Sequence, residues 1–169
     1  MKVLNNHKRK INKPLAQVSK VFKTIATSND LIWPYENWPA IKFKDGLQVG
    51  SRGGHGLIRY TIIDFNAGKY IKFQFSKPDG FIGTHELKLK EVSNDLTEIS
   101  HEIRMNTTIK GTVLWFFVIR WLHNALIEDA FDNVENYFQP HKIKVTKYNF
   151  WVRLLRGAYK RKSFQTKHA

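Results

Sequence analysis

Residues 110–138 read KGTVLWFFVIRWLHNALIEDAFDNVENYF, and Gln139-Pro140 follows them. Because apolar residues recur every three or four positions up to this proline, the pattern predicts one long helix that ends there. One stripe of the helix is predicted to pack on a sheet, while Glu128, Asp132 and Glu135 lie on the opposite side. The stripe consists of Phe116, Ile119, His123, Leu126, Ile127, Ala130, Val134 and Tyr137.

The first half of this helix is apolar on its other side as well. The residues on that side are Leu114, Phe117, Val118 and Trp121. A second layer must therefore cover them, and it could be the N-terminal helices, the tail of the chain or another subunit, which leaves a homodimer open. A membrane span is disfavoured, because residues 111–127 fall short of the roughly 20 residues that a span needs and include Arg120, His123 and Asn124.

Upstream of this helix the apolar period changes to two, from Leu47 onward. Turn signals recur at 66–68, 77–80 and 93–95, so the segment is predicted to be an antiparallel meander with one buried face. Residues assigned to that face are Ile71, Phe73, Phe75, His85, Leu87, Leu89, Ile99, His101, Ile103 and Met105. Between Leu57 and Phe65 both faces carry apolar residues, and the inward set is not resolved there.

The N-terminal part is predicted to hold an edge strand over about residues 5–12 and then two short helices. Asn12 and Pro14 open the first helix, which should end near Thr27. The second is expected to carry Leu31, Ile32 and Trp33 as far as the break at Pro34.

Charge and cysteine content restrict the function classes. The 169 residues have a net charge of +14, and the basic excess sits at the ends: residues 1–29 hold seven Lys or Arg and residues 137–169 hold nine, with no acidic residue in either segment. The absence of cysteine excludes disulfides, thiolate metal sites and a cysteine nucleophile. Residues 1–13 lack the apolar stretch of a signal peptide, so a cytoplasmic location is expected.

The predicted order of a strand, two short helices, a curved meander and a long C-terminal helix resembles the helix-grip fold of the START/polyketide-cyclase-like (SRPBCC) superfamily. The resemblance covers residues 5–138 and includes Lys13-Pro14 before Val18 and Val21-Phe22, and Val49-Gly50 before a glycine-rich stretch. It implies an α+β fold in which the sheet wraps around the long helix and leaves an apolar cavity for a lipid, polyketide or similar ligand. We therefore expect a ligand-binding domain over residues 1–138 and a basic extension over 139–169.

Three histidines are the candidate catalytic or ligand-contacting residues. His85 and His101 lie on the inward face of neighbouring predicted strands, and His123 lies on the inward helix stripe. If Leu87 pairs with His101, then His85 and His101 are diagonal neighbours about 7 to 8 Å apart. Structural or ligand-contacting imidazoles are favoured over a metal site, and neither a metal nor a cofactor is expected. The alternative is a cofactor-free cyclase, dehydratase or isomerase, in which Arg59 or Arg120 would stabilise an enolate.

Aromatic residues are expected to complete the cavity wall. With the three histidines, the predicted ligand-binding set is Trp33, Trp38, His55, Phe73, Phe75, Phe116 and Ile119. The stretch Gly50–Gly56 matches neither phosphate-binding fingerprint, so a bent strand segment is favoured over a phosphate loop.

The tail predicts a basic amphipathic helix between Lys147 and Lys162. Its apolar positions are Trp151, Leu154, Leu155, Ala158 and Tyr159, and its basic positions are Arg153, Arg156, Lys160, Arg161 and Lys162. This helix could contact an anionic membrane, which would make the protein a peripheral adaptor on the inner membrane face, or it could cap the long helix or remain disordered. Nucleic acid is the least favoured partner, since no recognition motif is present.

Overall fold

The computed structural model describes residues 1–141 and 144–165, with side chains given as far as 158. Seven antiparallel strands form one sheet in the order β1-β7-β6-β5-β4-β3-β2. The strands are β1 (Lys2–Ile11), β2 (Lys42–Phe43), β3 (Arg52–His55), β4 (Ile58–Asn66), β5 (Tyr70–Lys77), β6 (Phe81–Ser93) and β7 (Leu96–Thr107). The predicted N-terminal edge strand is therefore confirmed, and it pairs with the last strand of the meander.

Helical structure lies before and after the meander. The helices are α1 (Leu15–Phe22), α2 (Ile109–Leu114), α3 (Arg120–Tyr137) and α4 (Phe150–Gln165), and a π-helical turn over Trp115–Ile119 joins α2 to α3. The long predicted helix is thus present as α2, the π turn and α3. An antiparallel sheet with a long C-terminal helix against it is the α+β helix-grip fold expected from the sequence.

Strand burial alternates as the period of two predicted. His85, Leu87 and Leu89 are buried on β6, and so are the inward residues of β7. Leu87 pairs with His101, which is the register that the sequence suggested. On β4, a register shift between Ile62 and Asp64 explains why both faces looked apolar, since it adds one residue to this strand.

The predicted second short helix is wrong, because residues 24–40 form turns instead. Asp30 organises them: its Oδ1 accepts hydrogen bonds from the backbone N–H groups of Ile32 and Trp33, both at 2.8 Å. Its Oδ2 accepts a third from the N–H of Ala26 at 2.6 Å. A carboxylate that accepts hydrogen bonds from nearby backbone N–H groups competes with the hydrogen bonds of a helix. In this segment the bonds to Asp30 replace the helical ones.

The inward stripe of the long helix also needs correction. Leu126, Ile127, Ala130 and Val134 are buried as predicted, but Phe116 is 48% exposed and Tyr137 is 54% exposed. The π turn contains one more residue per turn than an α-helix, and it is Trp115 rather than Phe116 that is buried there. At the C-terminal end, Tyr137 closes α3 and its ring packs beside that of Phe138.

An ion-pair cluster attaches β1 to α3. The Arg9 guanidinium donates to Asp132 at 2.9 Å, Glu135 at 2.8 Å and Glu128 at 2.7 Å. The chain's first strand is thereby held on its long helix.

In the described ranges, no helix is long and apolar enough to cross a bilayer.

Candidate ligand-binding site

A cavity of about 390 Å³ lies between the sheet and the long helix. The sheet contributes aromatic and aliphatic side chains, among them Tyr60, Phe73 and Leu87, and α3 contributes Leu126 and its neighbours. Volumes of this size are typical of small-molecule sites, which are mostly apolar with a few polar groups. The turns over residues 24–40 and helix α4 complete the wall.

Three histidines meet on one side of this cavity. The Nδ1 atom of His85 lies 3.2 Å from Nε2 of His101, and the ring centroids of His101 and His123 are 4.8 Å apart. Alternation along β6 and β7 directs the first two imidazoles inward, and the helix stripe directs the third toward them. The convergence that the sequence suggested is therefore present.

Several nitrogens of this cluster have no hydrogen-bond partner among the described residues. They are Nε2 of His85, Nδ1 of His101 and both ring nitrogens of His123. Buried polar atoms in folded proteins are nearly always paired, so an unpaired set concentrated at one cavity is unusual. A fourth histidine, His7, lies 5.8 Å from the His123 ring but is paired with Glu128 and Asn124.

The cavity histidines are neutral at physiological pH. Burial, and to a smaller extent the electrostatic interaction with His7, lowers the pKa of His123 to about 3. The side chain of Asn124 opposes this shift weakly, although it meets the distance and angle of a hydrogen bond to neither ring nitrogen. Burial also lowers the pKa of His85 and of His101 well below the ordinary histidine value, and their electrostatic coupling to His123 is the second cause. Each neutral ring offers one donor and one acceptor.

Aromatic rings enclose the His85 end of the cluster. The imidazole stacks on Phe73 and on Phe75, with ring centroids 4.6 Å away in both cases, and the Tyr60 ring meets it edge-on at 4.7 Å. Nearer the 24–40 turns, His55 packs on Trp33 at 4.8 Å. Burial, with a smaller contribution from the charge of Arg59, lowers the pKa of His55 to about 4.

Most of the residues predicted to contact a ligand line this cavity. They are Trp33, Trp38, His55, Phe73, Phe75, His85, His101, Ile119 and His123. The exception is Phe116, which the π turn places on the outer surface. Sequence reasoning missed Leu122 and Tyr60, and the β4 bulge obscured the inward position of Tyr60.

Neither arginine proposed for enolate stabilisation lies in the cavity. Arg59 is exposed and donates to the carbonyl oxygens of Gly56 at 2.7 Å and Ile58 at 2.9 Å. The Arg120 guanidinium lies over the rings of Phe116 and Trp121 on the outer side of the helix.

The glycine-rich stretch forms β3 and the turn into β4, as the bent-strand interpretation predicted, and no helix follows it.

Helix α4 forms part of the cavity wall through Leu155, Arg156 and Ala158. The Arg156 guanidinium carbon lies 4.2 Å from the ring centroid of Tyr148 and 4.8 Å from that of Trp38, and the group donates to the Asn37 carbonyl at 2.8 Å. Of the alternatives for the tail, the structure contains the one in which it packs on the domain.

The residues predicted to contact a membrane are divided by this packing. Trp151, Arg153 and Leu154 are exposed, whereas Leu155 and Arg156 face the cavity. The side chains of Lys160 and Arg161 lie outside the described residues.

Within the described part of the chain, no group of three or more His, Asp or Glu side chains has a geometry that could hold a metal ion.

Comparison with solved structures places the chain among proteins of similar fold. Truncated norcoclaurine synthase from Thalictrum flavum matches with a TM-score of 0.62 at 11% identity, over 83% of this chain and 96% of that one. A point mutant of that enzyme in complex with a transition state analogue matches with a TM-score of 0.58 at 10% identity, over 77% and 91%. CalU16 from Micromonospora echinospora matches with a TM-score of 0.54 at 13% identity, over 95% and 96%.

At these identities the likeness shows the fold alone. No protein-family model matches the sequence, and no curated protein matches it. The function must therefore be inferred from the chemistry of the site itself.

Proposed function

We propose that this protein binds a hydrophobic small molecule that carries one neutral polar group. The observation that supports this most directly is the apolar cavity with its cluster of unpaired imidazole nitrogens. The apolar body of the ligand would lie on the aromatic wall, and its polar group would face His85, His101 and His123. A fold neighbour, norcoclaurine synthase, has been solved with a transition state analogue, which is consistent with small-molecule binding in this fold.

The unpaired histidines give the ligand's polar group an energetic role. A buried polar atom without a partner costs about 1–3 kcal/mol, and a ligand hydroxyl or carbonyl that pairs with it removes that cost. Because the imidazoles are uncharged, they can donate to a carbonyl and accept from a hydroxyl. An alcohol, ketone or phenol therefore suits the cluster better than a carboxylate, which a charged partner would serve better.

Catalysis by the same histidines is the second proposal. A cofactor-free cyclase, dehydratase or isomerase needs a base whose pKa lies near the working pH, whereas burial lowers the pKa of His123 to about 3. Neither Arg59 nor Arg120 lines the cavity, so the enolate stabilisers proposed from the sequence are not in place. Binding, for transport or sequestration, is therefore the function that the geometry favours.

Two measurements test the binding proposal. Native mass spectrometry of the purified protein should show an apolar adduct, and the neutral dye Nile red should bind the purified chain in solution. Replacement of Leu122, which lines the cavity, by Trp should weaken dye binding at least about tenfold, or about 1.4 kcal/mol.

The matched control is Ile82→Trp, which adds the same ring to an exposed position on β6. It should leave dye affinity unchanged, and circular dichroism should show both variants folded. Equal affinities of the two variants would refute the proposal, because the dye would then be bound elsewhere.

A further inference from the structure

Exposed apolar side chains form a surface on the helices outside the cavity. We call it the helical face, and it consists of Ile109, Val113, Phe116, Phe117, Phe150 and Leu154, whose exposed fractions run from 48% to 86%. The Trp151 indole of α4 donates to the Phe117 carbonyl of the π turn at 2.9 Å, which brings the two helical segments side by side. Contiguous exposed apolar surface of this kind marks an interaction site more often than a free surface.

The elements that build the helical face carry charges of one sign. Residues 108–127 and 137–169 contain no acidic residue, so the elements that build the face carry only basic charges. Lys110 and Arg153 are exposed beside it, and Arg120 lies with its guanidinium 4.6 Å from the Phe116 ring centroid. An apolar surface bordered by cations matches the interface of a bilayer that contains anionic lipid.

The helical face lies directly outside the cavity. Leu114 and Val118, on the same helical segment, line the cavity from the inner side, and so do Leu155 and Ala158 of α4. The helices that separate the cavity from the helical face are therefore only one layer thick.

We infer that the helical face docks on an anionic lipid bilayer, and that α4 is the part of the cavity wall that meets the membrane surface. Ligand would then pass between the bilayer and the cavity at this wall. This exchange rests on the proposed function, whereas the docking does not. Each basic residue near an anionic surface contributes about 1 kcal/mol, so binding should weaken as salt is raised. A second copy of the chain is a poorer occupant, because a two-fold contact would bring the same basic segments together.

Vesicle co-sedimentation of the full chain tests the docking. Vesicles of phosphatidylcholine mixed with phosphatidylserine should bind the protein, and vesicles of phosphatidylcholine alone should bind it at least about tenfold more weakly. The double variant Phe150→Gln and Leu154→Gln removes two apolar contacts and should lower binding to the mixed vesicles about tenfold or more. Arg153→Gln should lower it about fivefold at low salt.

Matched controls use exposed residues of β6 on the sheet. Ile82→Gln with Val92→Gln removes two exposed apolar side chains, and Lys90→Gln removes one exposed charge. Both should bind vesicles as the unchanged chain does. Equal losses in the control and helical-face variants would overturn the inference, and so would equal binding to both kinds of vesicle.

Two further outcomes would assign the surface to another occupant. A dimer in light scattering that Phe150→Gln and Leu154→Gln dissociate would make the face an interface between copies. Preference for RNA over mixed vesicles would make it a nucleic-acid surface.

Nile red binding without vesicles separates this inference from the proposed function. Dye binding without docking refutes only the inference, and docking without dye binding refutes only the proposed function.

Discussion

Four histidines buried in a neutral form make stability depend on pH. Burial lowers the pKa of His55 to about 4 and of His123 to about 3, and it lowers those of His85 and His101 as well. In the unfolded chain histidine titrates at about 6.5, so below that pH the unfolded state binds more protons than the folded state. The free energy of unfolding is therefore fully retained above about pH 6.5 and falls as the pH decreases toward the folded-state pKa values.

Calorimetric unfolding between neutral pH and about pH 4 measures this effect, with a slope of up to about 1.4 kcal/mol per pH unit for each such histidine. Exposed His141 supplies the control, and His141→Gln should leave the slope unchanged. A melting temperature that stays constant below about pH 6.5 would contradict neutral burial of the cluster.

His123 is predicted to cost stability in the absence of ligand. Neither of its ring nitrogens has a partner among the described residues, so His123→Leu should stabilise the ligand-free protein by about 1–2 kcal/mol. His7→Leu is the matched control, since both His7 nitrogens are paired, at 2.8 Å with Glu128 and 3.0 Å with Asn124. Denaturant unfolding should show opposite signs for the two variants, and destabilisation by both would mean that His123 is satisfied.

Inward-facing residues were predictable where strand and helix periods run without interruption. His85 and His101 follow a strict alternation on β6 and β7, so their faces could be assigned from the sequence. The assignment of Phe116 to the inward stripe is wrong, because the π turn depends on the packing of the whole helix rather than on a local motif. The lowered pKa values could not be predicted either, since they depend on burial in the assembled fold.

Helix α2 begins against the turn between β5 and β6, and glycine permits this approach. A Cβ added to Gly111 would lie 2.5 Å from the Gly80 carbonyl oxygen, so the backbone would have to move. Gly111→Ala should therefore destabilise the protein by about 1–3 kcal/mol in denaturant unfolding. Gly157→Ala, in the open on α4, should instead stabilise its helix by about 0.5–1 kcal/mol, visible as slower amide exchange in α4. If both alanine variants stabilised the protein, the close approach of Gly111 to Gly80 would contribute nothing to its stability.

The order and type of the regular elements followed from hydrophobic period and turn residues, whereas the 24–40 turns did not. The apolar sequence around Leu31 and Trp33 suits a short helix, but the Asp30 carboxylate binds the backbone N–H groups that such a helix would use. Local side-chain competition of this kind depends on a single residue and leaves the hydrophobic pattern unchanged.

In the assembled molecule, both ends of the chain pack against α3. Arg9 holds β1 on α3, and α4 lines the cavity together with α3 and the 24–40 turns. A basic amphipathic pattern predicts a helix but does not decide between lipid and protein as its partner, because both accept the same apolar side chains. Tail packing was therefore one open alternative in the sequence and became visible only in the structure.

Arg156 is the residue through which α4 is predicted to hold the cavity shut. Its guanidinium stacks on Trp38 and Tyr148, and both of those side chains donate hydrogen bonds to the Asp129 carboxylate. Arg156→Met keeps an apolar side chain of similar reach but loses the cation–π contacts and the hydrogen bond to the Asn37 carbonyl, worth about 1–2 kcal/mol together. Hydrogen exchange of α4 amides and release of bound Nile red should then both become about tenfold faster, with sheet amides unchanged.

Arg153→Met is the control for this change, because it removes the same charge from an exposed position of the same helix. It should leave both rates within about a factor of two of the unchanged chain, since exposed charges contribute little to stability. Equal acceleration by the two variants would mean that net charge rather than the Arg156 contact keeps α4 in place. Faster amide exchange in α4 with unchanged dye release would show that ligand leaves by another route, because α4 would then open without opening the cavity.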